Sequence, residues 1–193
     1  MNNIYIDCGA NLGQGYERLK SQEFIKPDAK IYMFEPLKNA YDFLKKTYSL
    51  ATIFNSAVWI ENKDVILNIE TADTNEIKDI GHASNIIGDK FNFKNSSNVG
   101  WKTETVKAID LTEFIINNFE KNDNIFIKFD IEGAEYEILD KIIETKTYEY
   151  FKMMNIEFHE NLRNDKQNLK PNEEYTKFLI SKGITIIYPI INY

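Results

Sequence analysis

YIDCGANLGQGYERL, residues Tyr5–Leu19, carries the reading of the fold. The segment NNIYIDC (Asn2–Cys8) is short, apolar and β-prone and ends in Asp7 and Cys8; Gly9, Gly13 and Gly15 follow. GQGYERLKSQEF then has helical spacing, with Leu19 and Phe24 on one face. A strand, a glycine-rich turn and a helix form the nucleotide-binding unit of parallel sheets, whose ligands lie beyond the carboxyl ends of the strands. The turn fits neither phosphate motif. In a G-x-G-x-x-G frame from Gly9 the later glycines fall on Asn11 and Gln14, and from Gly13 the third falls on Arg18. The G-x-x-x-x-G-K-[ST] loop is absent.

A carboxylate at the end of the first strand suits a cation better than a phosphate. S-adenosylmethionine has an ammonium and a sulfonium, and Asp7 is expected to accept from the ammonium, directly or through water. Gly9 admits the backbone closely because it lacks a Cβ. Ala10 and Asn11 belong to the same turn, Gly13 and Gly15 keep the helix entrance open, and the helix N-terminus can meet the ligand carboxylate. The second strand, AKIYMFEP, ends in Glu35 and is stopped by Pro36. An acid there hydrogen-bonds ribose hydroxyls. In the third strand, Ser56 and Ala57 of NSAVW are expected beside an adenine, a simple strand turn being the alternative. Asp7 as a mere helix cap, with Glu35 as an ordinary strand-end acid, is the alternative.

Strands and helices alternate to the end of the chain, which predicts an α/β fold with a doubly wound, mostly parallel sheet and helices on both faces. Ala51–Trp59 reads as one strand, and Val65–Glu70 as its hairpin partner. Lys38–Ser49 reads as a helix with Ala40, Phe43, Leu44 and Tyr48 inward. Thr71–Lys102 reads as a long loop over a site. Asp110 caps the next helix, with Glu113 at capping-box spacing. The closing ITIIYPIINY is expected as an antiparallel edge strand or hairpin. A second acidic cluster, Asp130, Glu132 and Glu135, lies in FIKFDIEGAEYEIL (Phe126–Leu139). Such carboxylates bind a metal, act as a base or cap the following helix.

The bulk numbers bound the function. A length of 193 residues suits one domain, 1–193. The net charge of −7 argues against broad nucleic-acid binding. Cys8 is the one cysteine, which excludes an internal disulfide and favours a reducing, cytoplasmic setting. MNNIYID has no signal-peptide pattern, no apolar run is long enough to span a membrane, and the Asn95-Ser96-Ser97 sequon is expected to be idle.

Taken together, YIDCGANLGQ, IYMFEPLKNAYDFL, NSAVW, VKAIDL and FIKFDIEGAEYEIL, followed by NIEFH, resemble the FkbM-type methyltransferase family in order and spacing, over about Asn3 to His159. The resemblance implies a class I, Rossmann-like fold, S-adenosylmethionine as cofactor and O-methylation of hydroxyls on sugars, glycans or small metabolites. It places Asp7, Gly9, Ala10, Asn11 and Gly13 in the first cofactor motif, and Glu35 with Pro36 in the ribose motif. Ser56 and Ala57 match the adenine region, and Asp130 with the IEGAE turn matches the reaction centre. HASN (His82–Asn85) resembles a serine-containing loop, so His82, Ser84 and Glu132 are substrate candidates. Asp130 and His159 are the catalytic candidates. Asp130, Glu132 and Glu157 could assemble an oxygen-rich Mg²⁺ site, but no metal is assigned. Set beside the family, the chain starts at the first strand, and closure is expected from the Thr71–Lys102 loop or from a partner subunit in a homo-oligomer. A nucleic-acid methyltransferase and a cofactor-binding module without turnover are the competing readings.

Overall fold

The computed structural model describes residues 1–71, 84–92 and 100–188. In chain order the elements are β1 (Asn3–Cys8), α1 (Gln14–Ser21), β2 (Lys30–Phe34), α2 (Lys38–Thr47), β3 (Thr52–Phe54), β4 (Ala57–Trp59) and β5 (Lys63–Thr71). They continue with β6 (Gly100–Asp110), α3 (Leu111–Asn118), β7 (Asn124–Phe129), α4 (Glu135–Glu144), β8 (Phe151–Ile156), α5 (Asn172–Ser181) and β9 (Thr185–Ile187).

The main sheet has the order β3-β2-β1-β7-β8-β9, and every neighbouring pair is parallel. The chain winds outward from β1 through β2 to β3, then returns to place β7 on the other side of β1. That reversal makes the carboxyl ends of β1 and β7 the crevice of the sheet. Side chains of β1 alternate between two covered faces. Tyr5 packs with Leu19 of α1 and Phe126. Ile4, Ile6 and Cys8 pack with Leu111 and Ile115 of α3 and Ile138, Leu139 and Ile142 of α4. Leu44 of α2 packs on Met33, whereas Phe43 is 44% exposed and not part of the inner face.

Three readings of the sequence are corrected. Ala51–Trp59 is two strands, because Asn55 turns the chain: its Nδ2 donates to the carbonyls of Glu35 (3.0 Å) and Pro36 (2.9 Å). β4 leaves the main sheet for a second one, ordered β4-β6-β5. β5 does not return on its predecessor; it pairs antiparallel with β6, from Lys63↔Ala108 to Thr71↔Gly100. This ladder takes up both ends of the expected loop, and its Leu67 and Ile69 pack on Leu37 and Ala40 above the end of β2. At the carboxyl edge, β9 runs parallel to β8, not antiparallel; residues 189–193 lie outside the described part. Asp110 does cap α3, accepting from Thr112 N (3.0 Å) and Glu113 N (3.1 Å). The reciprocal half of the capping box belongs to Asn62, whose Oδ1 accepts from Asp110 N at 2.9 Å.

Gly9 sits where β1 and β7 end side by side. Its φ is +78°, and a Cβ there would lie 1.9 Å from the carbonyl oxygen of Asp130. Gly183 has a similar φ, +83°, in open space. Gly183→Ala should therefore cost only the backbone term, about 1–2 kcal/mol. Gly9→Ala should cost clearly more, because the clash with the β7 backbone is added. Urea unfolding of the two variants checks this; equal losses would mean that the strand ends separate freely.

Candidate active site

A cavity of about 360 Å³ opens at the carboxyl ends of β1, β2 and β7. That is the lower part of the range for small-molecule sites. Gly9, Ala10, Asn11 and Arg18 line it from the first turn and α1; Glu35 and Pro36 line it from the end of β2; Ala57 lines it from β4. Asp130 and Glu132 complete the wall from the turn after β7. Ser84, Asn85 and Ile86 close over it. Asn85 is held there by a backbone exchange with Asn68 (2.8 and 3.0 Å). His82 lies outside the described residues.

Glu35 organises the near wall. One carboxylate oxygen accepts from Asn11 N and the other from Leu37 N, both at 2.8 Å. Burial pushes its carboxyl up to about 7, against the pull of these two N–H groups. Each oxygen retains a further lone pair. Asn11 has a left-handed backbone, φ +48°, and its side-chain oxygen is buried with no hydrogen-bond partner among the described residues. Ser56 Oγ is likewise buried and unpartnered, but Ser56 does not line the cavity, while its neighbour Ala57 does.

Asp7 and Gly13, both expected in the first cofactor motif, do not line the cavity. Asp7 does not reach the cavity. Its side chain is fully buried, accepting from Tyr5 OH and from Lys128 Nζ, both at 3.1 Å. Burial raises its carboxyl, and Lys128 opposes that rise. Gly13 is also off the wall; a Cβ there would meet the Tyr48 ring. Lys128, which the sequence reading passed over, joins the two strand ends. Its Nζ contacts Asp7 (3.1 Å), Asp130 Oδ2 (3.1 Å) and the Gly9 carbonyl (3.3 Å). Burial works against its charge, yet Asp7 and Asp130 push its pKa upward. A Cβ on Gly15 would lie 2.4 Å from the Lys128 side chain, so this glycine makes room for the lysine. The available signal was a lysine inside the apolar run IFIKF, two residues before an aspartate.

Beside this wall stands the second cluster. β7 and β8 are adjacent, with Phe129 opposite Ile156, so the segments after them meet. His159 Nδ1 lies 2.9 Å from Glu135 Oε1. Glu135 is fully buried and also accepts from Ile131 N and Gly133 N, each at 3.0 Å. His159 Nε2 faces Glu132 (3.7 Å), Asp130 (3.8 Å) and Glu157 (3.9 Å). Burial opposes the imidazolium, but Glu135, Glu132 and Asp130 push it up to about 10. Burial pushes Glu132 up to about 8, while for Asp130 burial is outweighed by Lys128 and His159 and the carboxyl is lowered. Asp130 and Glu132 line the cavity and His159 stands behind them.

The IEGAE turn is clamped from outside by Arg163, 1% exposed. All five of its N–H donors are used, on Glu137 (2.8 and 2.8 Å), Asp165 (2.9 and 3.0 Å) and the Gly133 carbonyl (2.6 Å). The neighbouring backbone bonds, Asn92 N to Leu162 O and Asn164 N to Lys90 O at 2.7 Å each, tie the segment over the cavity to the loop after β8. Trp101 packs edge-on against Phe91, 5.2 Å between centroids, as a packing residue.

An all-parallel sheet wound from its middle, with a cavity at the switch point and acids closing β2 and β7, defines the class: a Rossmann-like, doubly wound α/β protein. The family profile described as "Methyltransferase FkbM domain" matches residues 7–182, and the chain belongs to that family. Among solved structures it is similar to the crystal structure of methyltransferase FkbM from Methylobacillus flagellatus KT, at 15% identity and a TM-score of 0.49. The match covers 93% of this chain and 37% of that one. No curated protein sequence matches. Among the described residues no helix is long and apolar enough to cross a membrane.

Proposed function

We propose that the chain is an S-adenosylmethionine-dependent methyltransferase acting on a hydroxyl group of a sugar, glycan or small metabolite. The observation that carries this is the near wall of the cavity: a buried Glu35 carboxylate with lone pairs to spare, beside the partnerless buried oxygen of Asn11. Both are acceptors that a ligand rich in O–H and N–H groups would satisfy. Glu35 would take the ribose hydroxyls, Ala57 would leave room for the adenine, Arg18 would pair the methionyl carboxylate, and Asn11 with Asp130 would meet the ammonium. When bound, the cofactor supplies an electrophilic methyl group on a sulfonium. Asp130 and Glu132 put carboxylates on the far wall, where the proton of an acceptor hydroxyl must be received. His159, held by Glu135, positions them. Much of the rate gain in such a transfer comes from alignment. The reading includes a reducing, cytoplasmic setting, in keeping with the buried thiol of Cys8.

Calorimetric titration with S-adenosylmethionine and S-adenosylhomocysteine tests the cofactor, and label transfer to a panel of hydroxylated acceptors tests the reaction. Absence of saturable binding at millimolar ligand would sink the reading. The pH dependence has a definite sign. Hydroxyls donate more strongly to ionised Glu35 than to the neutral acid, so binding should pull its pKa below about 7. Affinity should rise with pH up to about 7 and then level off, with proton release below that point seen as a buffer-dependent heat. An affinity flat between about pH 5.5 and about pH 8 would remove Glu35 from the contact. For folding alone, a raised acid contributes stability fully below its unfolded value near 4.5, and that contribution is lost as pH rises through about 7.

A further inference from the structure

We infer that Asp130, Glu132 and His159 form a binding site for a divalent cation, of the borderline kind that accepts both imidazole nitrogen and carboxylate oxygen; the inference builds on the methyltransferase reading by giving that site a metal. One donor atom from each residue lies within 4.8 Å of the other two. The Nε2 separations of 3.7 and 3.8 Å from Glu132 and Asp130 are too long for hydrogen bonds. A cation with bonds of about 2.0–2.2 Å holds neighbouring donors roughly 3–3.5 Å apart, so the two Nε2 separations need shorten by only roughly 0.2–0.8 Å.

The donors are not loose surface acids. Two of them are oriented by buried charged partners outside the set. Glu135, 0% exposed, takes Nδ1 of His159 and so turns Nε2 toward the other donors. Its remaining bonds, to Ile131 N and Gly133 N, fix it in the turn. Lys128, 2% exposed, takes Oδ2 of Asp130 and leaves Oδ1 facing His159. A carboxylate holding the far nitrogen of a histidine is the outer shell that metal-binding histidines use. The nitrogen distinguishes this site from an all-oxygen Mg²⁺ site: imidazole favours Mn²⁺, Fe²⁺ or Zn²⁺ over Mg²⁺. Asp130 and Glu132 line the cavity, so open coordination positions would face the acceptor. There the cation would hold the acceptor hydroxyl and ease its ionisation; with Asp130 and Glu132 engaged as ligands in place of receiving the proton themselves, the proton would leave to solvent. The new O–C bond would form as the C–S bond breaks, its electron pair staying on sulfur.

The test uses the chelator-treated chain and Mn²⁺ alone, followed by calorimetry and pulsed electron paramagnetic resonance. One saturable equivalent is expected, with nitrogen modulation from one imidazole. His159→Ala should remove the modulation and weaken binding more than Glu135→Gln, whose outer-shell loss should be about 10–100-fold. Glu132→Gln should weaken binding while keeping the nitrogen signal, which guards against misfolding of the histidine variant. Asp28→Asn, beside Asn3 at the amino end of β1, should change nothing. No saturable Mn²⁺ binding, or binding unchanged in both His159→Ala and Glu132→Gln, would overturn the inference. S-adenosylmethionine titrated in parallel separates the two readings: cofactor binding without metal binding overturns only the cation site, and metal binding without cofactor binding overturns only the cofactor.

Discussion

Glu35→Ala should weaken S-adenosylmethionine binding by about 100-fold or more, a loss of about 2.7 kcal/mol. The carboxylate does two things at once. It holds Asn11 N and Leu37 N at 2.8 Å each, which shapes both turns of the near wall, and it offers its remaining lone pairs to the cavity. Hydrogen bonds to a charged group are worth about 1.5–3 kcal/mol apiece. Removing the carboxylate therefore loses the ligand contact and releases the Asn11 turn together. Glu35→Gln should fall between the two, because its single carbonyl oxygen can serve one backbone N–H while its NH₂ faces the other. Calorimetry with the melting temperature as a control measures both variants. A change in affinity under about threefold would show that the wall is not a ribose site.

Arg163→Met should destabilise the fold by about 3 kcal/mol or more, since breaking a buried ion pair by removing one partner leaves buried charge behind. For a chain of this length that is a drop of roughly 6–12 °C in melting temperature. Lys90 still pairs with Glu137 at 2.7 Å and Asp165 is partly solvated, so the upper end of the range is not expected. Arg163→Lys should recover little, because one ammonium cannot replace a fork that serves two carboxylates and a carbonyl. Hydrogen exchange should quicken at Asn92 and Asn164, whose amides bond across to the facing segment. A loss under about 1 kcal/mol would mean that the clamp is ornamental to stability.

Much of the near wall of the cavity was legible because it is local. Gly9, Asn11 and Glu35 stand at strand ends, and strand ends are read from apolar runs and their stops. Asp130 was legible for the same reason; it follows β7, which lies beside β1. Asp7 was read as facing the site but is buried off the cavity wall, because a strand-end acid can point into the sheet as easily as out of it. Its direction depends on Lys128, 121 residues away, and no periodicity encodes that pairing. Arg163 was invisible for a related reason: its partners lie on α4 and in a polar loop, and an arginine in ENLRND looks solvated until Gly133 and Glu137 are folded against it.

The order of elements, the first turn and the acids that close β2 and β7 were determined by the sequence alone, since each follows from neighbours within about ten residues. Tertiary structure decided the rest: that β4, β5 and β6 leave the main sheet, that β9 is parallel, and that Lys128 pairs with Asp7 off the cavity wall. It also decided that Glu135, one of several acids in a row, is the buried one that holds His159. These are choices between partners distant along the chain, and only burial, which penalises every unpaired charge, selects among them.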